Sequence, residues 1–106
     1  MNETEYRQRV DDLMESIESQ IEDSGVDVDY ENTGGLLTIT VESNASQIIL
    51  SRQAATREVW LADQSGGFHF VWQHDAWCDT QSGELLSDML SRAFLAQADE
   101  PVVFSL

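Results

Sequence analysis

Residues 17–40 read IESQIEDSGVDVDYENTGGLLTIT, and within them the spacing of apolar side chains changes from three and four residues to two. Ile17 and Ile21 close a series that begins with Tyr6, Val10, Leu13 and Met14. Such intervals place one apolar stripe along a helix and predict a helix over residues 3–23. Asn2 followed by Glu5 has the spacing of an N-terminal capping box, and Ser24-Gly25 supplies the stop, with Gly25 as the C-terminal cap. From Val26 onward, Val26, Val28 and Tyr30 alternate with Asp27, Asp29 and Glu31, as in a half-buried strand that shows acids on its open side.

Working outward, Asn32-Thr33-Gly34-Gly35 is expected to turn the chain into a strand at residues 36–42, and Ser43-Asn44-Ala45 into another at 47–53. Strands at 58–62, 68–73 and 76–79 follow, separated by Gln64-Ser65-Gly66-Gly67 and by His74-Asp75. A second helix is expected from about Gly83 to Gln97, with Ser82 as its cap. Leu85, Leu86, Met89, Leu90, Ala93 and Phe94 form its apolar side. Pro101 ends it, and residues 102–106 form a short extended tail. Helix, strand meander and helix together predict an α+β two-layer sandwich, with both terminal helices on one face of an antiparallel sheet and the other face open to solvent.

The chain has 106 residues, 42% of them hydrophobic, which suits one domain over residues 1–106 with a core of its own. No apolar run approaches the roughly 18 residues needed to span a bilayer. The charged N-terminus lacks a signal peptide's apolar stretch. The single Cys78 cannot form an internal disulfide, as expected in a reducing cytoplasm.

Charge is the outlying property. Twenty acids stand against five Arg and no Lys, for a net charge of −15. A chain this acidic repels nucleic acid and anionic membrane and attracts cations or basic protein surfaces. Eleven of the acids fall in residues 1–31, against two Arg. At about 100° per residue, Asp11, Glu15, Glu18 and Glu22 occupy a helical sector of roughly 60°, flanked by Asp12 and Asp23. Like charges at i,i+4 cost a helix a few tenths of a kcal/mol per pair, and a merely solvated face would intersperse Lys. Asp27, Asp29 and Glu31 extend the same ridge beyond the helix end. Hard carboxylate oxygens suit hard cations, and with no His or Cys close by they predict weak, multiple, exposed binding instead of one closed cage.

The remaining chemistry is sparse. His69 lies between Phe68 and Phe70 on a strand and His74 at a turn, neither in a metal-ligand spacing. Cys78 has no Cys-x-x-Cys partner, and no nucleophile motif, phosphate loop or zinc signature is present, so the chain is expected not to be an enzyme. In Glu58-Val59-Trp60-Leu61, Val59 and Leu61 read as core-facing, which leaves Glu58 and Trp60 on the open face. A solvent-facing Trp is a typical anchor for a protein partner.

An acidic first helix, NTGGLLTIT (32–40), SQIILSRQ (46–53), REVWLADQSGGFHF (57–70) and SGELLSDML (82–90), in that order, resemble the bacterial frataxin family over essentially the whole chain. The resemblance implies weak, surface-exposed binding of iron (Fe2+/Fe3+) and a part in iron–sulfur cluster assembly. Its implied partners are a cysteine desulfurase and an iron–sulfur scaffold protein, and its implied state is a monomer with iron-dependent oligomers. In the family the acidic ridge docks on a basic patch of the desulfurase and slows cluster formation in an iron-sensitive way. By position, the iron ridge here is Asp11, Glu15, Glu18, Glu22, Asp23, Asp27, Asp29 and Glu31, and the partner contacts are Glu18, Glu22, Asp23, Gln53 and Trp60. The chain departs from the family pattern at Ser51, Ala55, Glu58 and Val71, where Asn, Pro, Gln and Asp are common. Ferrous-iron oxidation with storage is the alternative reading, and a nucleic-acid-mimicking decoy a more remote one.

Overall fold

The computed structural model describes residues 1–106. Helix α1 spans Glu3–Ser24, strands β1 to β6 span Val28–Thr33, Leu36–Val41, Gln47–Gln53, Glu58–Asp63, Gly66–Gln73 and Ala76–Asp79, and helix α2 spans Leu86–Ala98. The six strands form one sheet in the order β1-β2-β3-β4-β5-β6, and every neighbouring pair is antiparallel. Both helices and the C-terminal tail bury their apolar sides with one face of the sheet in a core of 22 residues. This is the two-layer α+β sandwich that the change of period predicts.

Helix α1 begins where Asn2 Oδ1 accepts the Glu5 backbone N–H at 2.8 Å, and ends at Gly25 with φ +71°. Tyr6, Val10, Leu13, Met14, Ile17 and Ile21 are all buried, so the apolar stripe faces the sheet and the acids are turned away from it. No basic residue occupies the last turn, where the helix dipole would favour one. Glu22 and Asp23 therefore sit at the end least favourable for them, and their placement is not explained by helix stability. Where β3 and β4 separate around a short 3-10 turn at Ala54–Thr56, Tyr6 closes the gap. Its hydroxyl donates to the Glu58 carbonyl at 2.6 Å and accepts the Gln53 N–H at 3.0 Å, while burial raises its pKa.

Several boundaries differ from the sequence reading; β1 begins at Val28 and not at Val26, and three further shifts have causes in the contacts. Strand β1 runs through Thr33, so the first hairpin turns on Gly34-Gly35 alone, at φ +59° and +87°. Strand β5 begins at Gly66, because Asp63 Oδ1 accepts both the N–H and the hydroxyl of Ser65 and completes the turn earlier. Helix α2 starts at Leu86, three residues later than expected. Gly83 has φ +77°, the Ser82 hydroxyl accepts the Glu84 N–H, the Glu84 carbonyl accepts the Asp79 N–H, and Leu85 bridges Cys78 beside β6. The backbone at 84–85 thus serves the sheet edge before the helix can begin. Leu85 takes the cap position with no side-chain bond and is exposed, not part of the buried face.

The tail does more than trail. Val102 and Phe104 are buried, and Phe104 packs edge-on against Phe94 at 5.0 Å between ring centres. Gln20 on α1 donates to the Ser105 carbonyl and accepts the Ser105 N–H, at 2.8 and 2.9 Å. An amide is needed at position 20 because one side chain must both donate and accept; a carboxylate there could only accept.

Candidate functional site

The predicted ridge residues on α1 fall into two groups. Asp11 pairs with the Arg52 guanidinium, the Glu18 carboxylate accepts from Asn32 Nδ2 at 3.1 Å, and Glu22 accepts from the Tyr30 hydroxyl at 2.7 Å. These three acids lean over the sheet and are held by it. Glu15 and Asp23 are exposed and have no hydrogen-bonding partner, and Asp12 accepts only from Gln8 one turn away. The Tyr30 phenol is pushed above its ordinary pKa of 10.0, chiefly by its hydrogen bond to Glu22 and then by partial burial and the negative charge of Glu22 and Glu18.

Arg52 is the one cation inside this acidic surface. Its backbone N–H donates to the Gly35 carbonyl, and a Cβ at Gly35 would lie 3.2 Å from both its Cβ and its Nε. Gly35 thus serves two needs, a positive φ and room for the Arg52 side chain. The Nε of Arg52 is buried without an acceptor, and Asp11 alone answers the charge.

Strand parity divides the rest of the ridge. Tyr30 and Asn32 point to α1, as their bonds to Glu22 and Glu18 show, so Asp29 and Glu31 project from the opposite, open face of the sheet. Asp29 lies across from Thr40 and Glu31 across from Thr38. Glu42, which sequence reasoning passed over, joins them: its N–H donates to the Asp27 carbonyl at 3.1 Å. A hydrogen bond to Asp29, repulsion from it and the nearby Asp27 raise the Glu42 pKa. A signal for Glu42 was available, because a two-residue Gly34-Gly35 turn sets residue 42 opposite residue 27. The acids therefore wrap around the edge strand β1, one bank beside α1 and the other on the open face. No three His, Cys, Asp or Glu side chains converge on one point. The surface offers carboxylate oxygens singly and in pairs, an arrangement that leaves a cation much of its water.

A second surface lies on the open face. Trp60, at the centre of β4, is 36% exposed, between Ser51 on β3 and His69 on β5. Gln53, half-buried two residues further along β3, donates to the Ser51 hydroxyl at 3.3 Å. Val59 and Leu61 are buried on the helix side, as their alternation requires. His74 is exposed at its turn, with φ +54°, and Cys78 is buried. A cleft of about 910 Å³ lies elsewhere, between the β4–β5 turn and α2, and holds none of the predicted site residues.

A family model for the frataxin-like domain matches residues 1–100. The chain belongs to the frataxin-like family. It is 44% identical over 105 residues to the iron–sulfur cluster assembly protein CyaY of Colwellia psychrerythraea, covering 99% of this chain and 98% of that one. The frataxin of Psychromonas ingrahamii superposes with a TM-score of 0.93 at 40% identity over the whole of both chains. Trimeric frataxin from the yeast Saccharomyces cerevisiae, complexed with ferrous iron, has the same fold, with a TM-score of 0.70 at 22% identity over 94% of this chain and 88% of that one. The frataxin sandwich is therefore common to all three, and the acidic α1 is laid across the same six-stranded layout in this member. No helix is long and apolar enough to cross a membrane.

Proposed function

We propose that this member of the family acts in iron–sulfur cluster assembly as an iron-binding adaptor, without catalysing a reaction of its own. The observation that carries the reading is the ridge itself: Glu15, Glu18, Glu22 and Asp23 exposed or half-exposed on one helix, with no Lys in the chain and Arg52 as the only cation among them. Such a field draws in a basic surface from a distance and orients it before contact. The partner this fits is the basic patch of a cysteine desulfurase, with the Gln53–Trp60 surface left for a second contact with the desulfurase or the scaffold protein. Iron held weakly by Asp11, Glu15, Glu18, Glu22, Asp23, Asp27, Asp29 and Glu31 would neutralise part of the same field. Iron binding and docking are then linked, and each changes the affinity of the other by the same factor.

The test is a ferrous titration followed by residue-resolved NMR under anaerobic conditions, with and without the desulfurase of the same organism. Selective broadening along α1 and β1 that diminishes when the desulfurase is bound supports the reading. Broadening confined to other surfaces, or iron and desulfurase binding independently, overturns it. Iron-dependent oxygen uptake abolished by one or two point changes would instead establish ferrous oxidation.

A further inference from the structure

On the open face, three side chains converge on one carboxylate oxygen. Trp60 Nε1 donates to Glu58 Oε1 at 2.9 Å, the Thr56 hydroxyl donates to the same atom at 3.1 Å, and His69 Nδ1 lies 3.7 Å from it. Above them the imidazole of His69 and the indole of Trp60 stack with centres 4.3 Å apart and planes 7° from parallel. Glu58 is the recessed member, its side chain 17% exposed against 48% for His69. The start of β4 that carries Glu58 is itself tied to α1 by the Tyr6 hydroxyl. An isolated Trp on a flat sheet face would exchange rotamers freely. This one is held along its face by His69 and at its edge by Glu58.

We propose that Glu58 and His69 are positioning residues for Trp60, and that the proton on His69 sets how firmly the indole is presented to a partner. The inference rests on the reading that Trp60 is a partner contact. Imidazole is the side chain whose ordinary titration falls between pH 5 and 8. Neutral His69 offers Trp60 stacking alone. Protonated, it places a cation over the indole face and faces the Glu58 carboxylate, so both neighbours favour the stacked arrangement. Glu58 on β4 is the charged group nearest the His69 ring on this face. A Trp held before contact loses less freedom on binding, a saving equivalent to about three- to ten-fold in affinity for one large side chain.

Two measurements on the full chain test this. The first is an NMR titration from pH 5 to 8 of the indole N–H of Trp60, assigned from W60F, and of the His69 ring. A shared midpoint, lost from the indole of H69F, supports the proposal. An indole signal that ignores the His69 titration overturns it.

The second is the affinity for the desulfurase at pH 6 and pH 8. The native chain is expected to bind about three-fold tighter at pH 6 relative to H69F measured in parallel. H69F keeps an aromatic stack and stays within about two-fold of native affinity at pH 8, whereas H69A weakens binding at both. Equal pH ratios for the native chain and H69F overturn the proposal. Absence of binding by the native chain would instead refute the partner reading, and the indole titration would still decide the coupling.

Discussion

Reversing the two free acids of the ridge on α1 separates electrostatic docking from folding. Glu15 and Asp23 have no hydrogen-bonding partner, so Glu15→Lys with Asp23→Lys removes no contact of the folded chain. It also relieves repulsion between Glu15 and its helical neighbours Asp11 and Glu18, worth a few tenths of a kcal/mol per pair. The net charge moves from −15 by four units. Two unit charges 4 Å apart in water interact by about 1 kcal/mol, and a Debye length of about 10 Å at 0.1 M salt leaves roughly two-thirds of it. If each acid meets one basic side chain of the desulfurase, reversal of both weakens docking by about 2–3 kcal/mol, or roughly 30- to 150-fold in Kd. At 1 M salt the Debye length is about 3 Å and the expected loss falls to about 1 kcal/mol. Calorimetry or surface-bound desulfurase, run at both salt concentrations, measures this. Asp88→Lys with Glu100→Lys, on α2 and the segment after it and outside the ridge, makes the same change in net charge and is expected to cost less than about three-fold. Docking unchanged in the ridge variant, with its thermal transition intact, refutes the reasoning; so does an equal loss in the α2 variant.

Other outcomes follow from particular contacts. Glu42 has a folded pKa raised above its ordinary value of 4.5, so its ionisation is disfavoured by folding, and the stability its protonated form contributes at low pH is lost as pH rises through the folded value. Glu42→Gln is therefore expected to raise Tm at pH 7 and to leave it nearly unchanged below about pH 4, by circular dichroism melts at both. Tyr30→Phe removes the bond to Glu22 and frees that carboxylate; the high-pH phenolate absorbance then loses one of its two late-titrating components, and iron-induced broadening at Glu22 increases. Phe104→Ala empties a buried site against Phe94 and is expected to cost about 3–5 kcal/mol, lowering Tm by more than about 10 °C. A smaller drop would mean that the tail is not part of the core.

Much of this was legible because it is local. The stripe from Tyr6 to Ile21 and the caps at Asn2 and Gly25 rest on three- and four-residue neighbours, and they stand as read. The sandwich followed from the same periods. The start of α2 was not legible: Ser82 has the chemistry of a cap, but Glu84 and Leu85 were engaged by Asp79 and Cys78 across the chain. The amide of Gln20 interrupts the acids of α1 because it is matched to the Ser105 backbone, 85 positions away. Glu42 needed only the hairpin register. The partner roles of Gln53 and Trp60 stay with the proposals above, although the exposure of Trp60 is now a feature of the fold.

The sequence by itself determined that an acidic, amphipathic helix precedes an antiparallel meander, since charge and hydrophobic period are properties of neighbouring residues. Tertiary structure alone decided which acids are held and which are free. Arg52 reaches Asp11 across 41 positions, Asn32 and Tyr30 on the edge strand hold Glu18 and Glu22, and Asp29 turns to the other face. His69 likewise meets Trp60 only because β4 and β5 pair in one register. These pairings depend on which distant backbones come to lie side by side, and that is set by the burial of the whole core, not by any local run of residues.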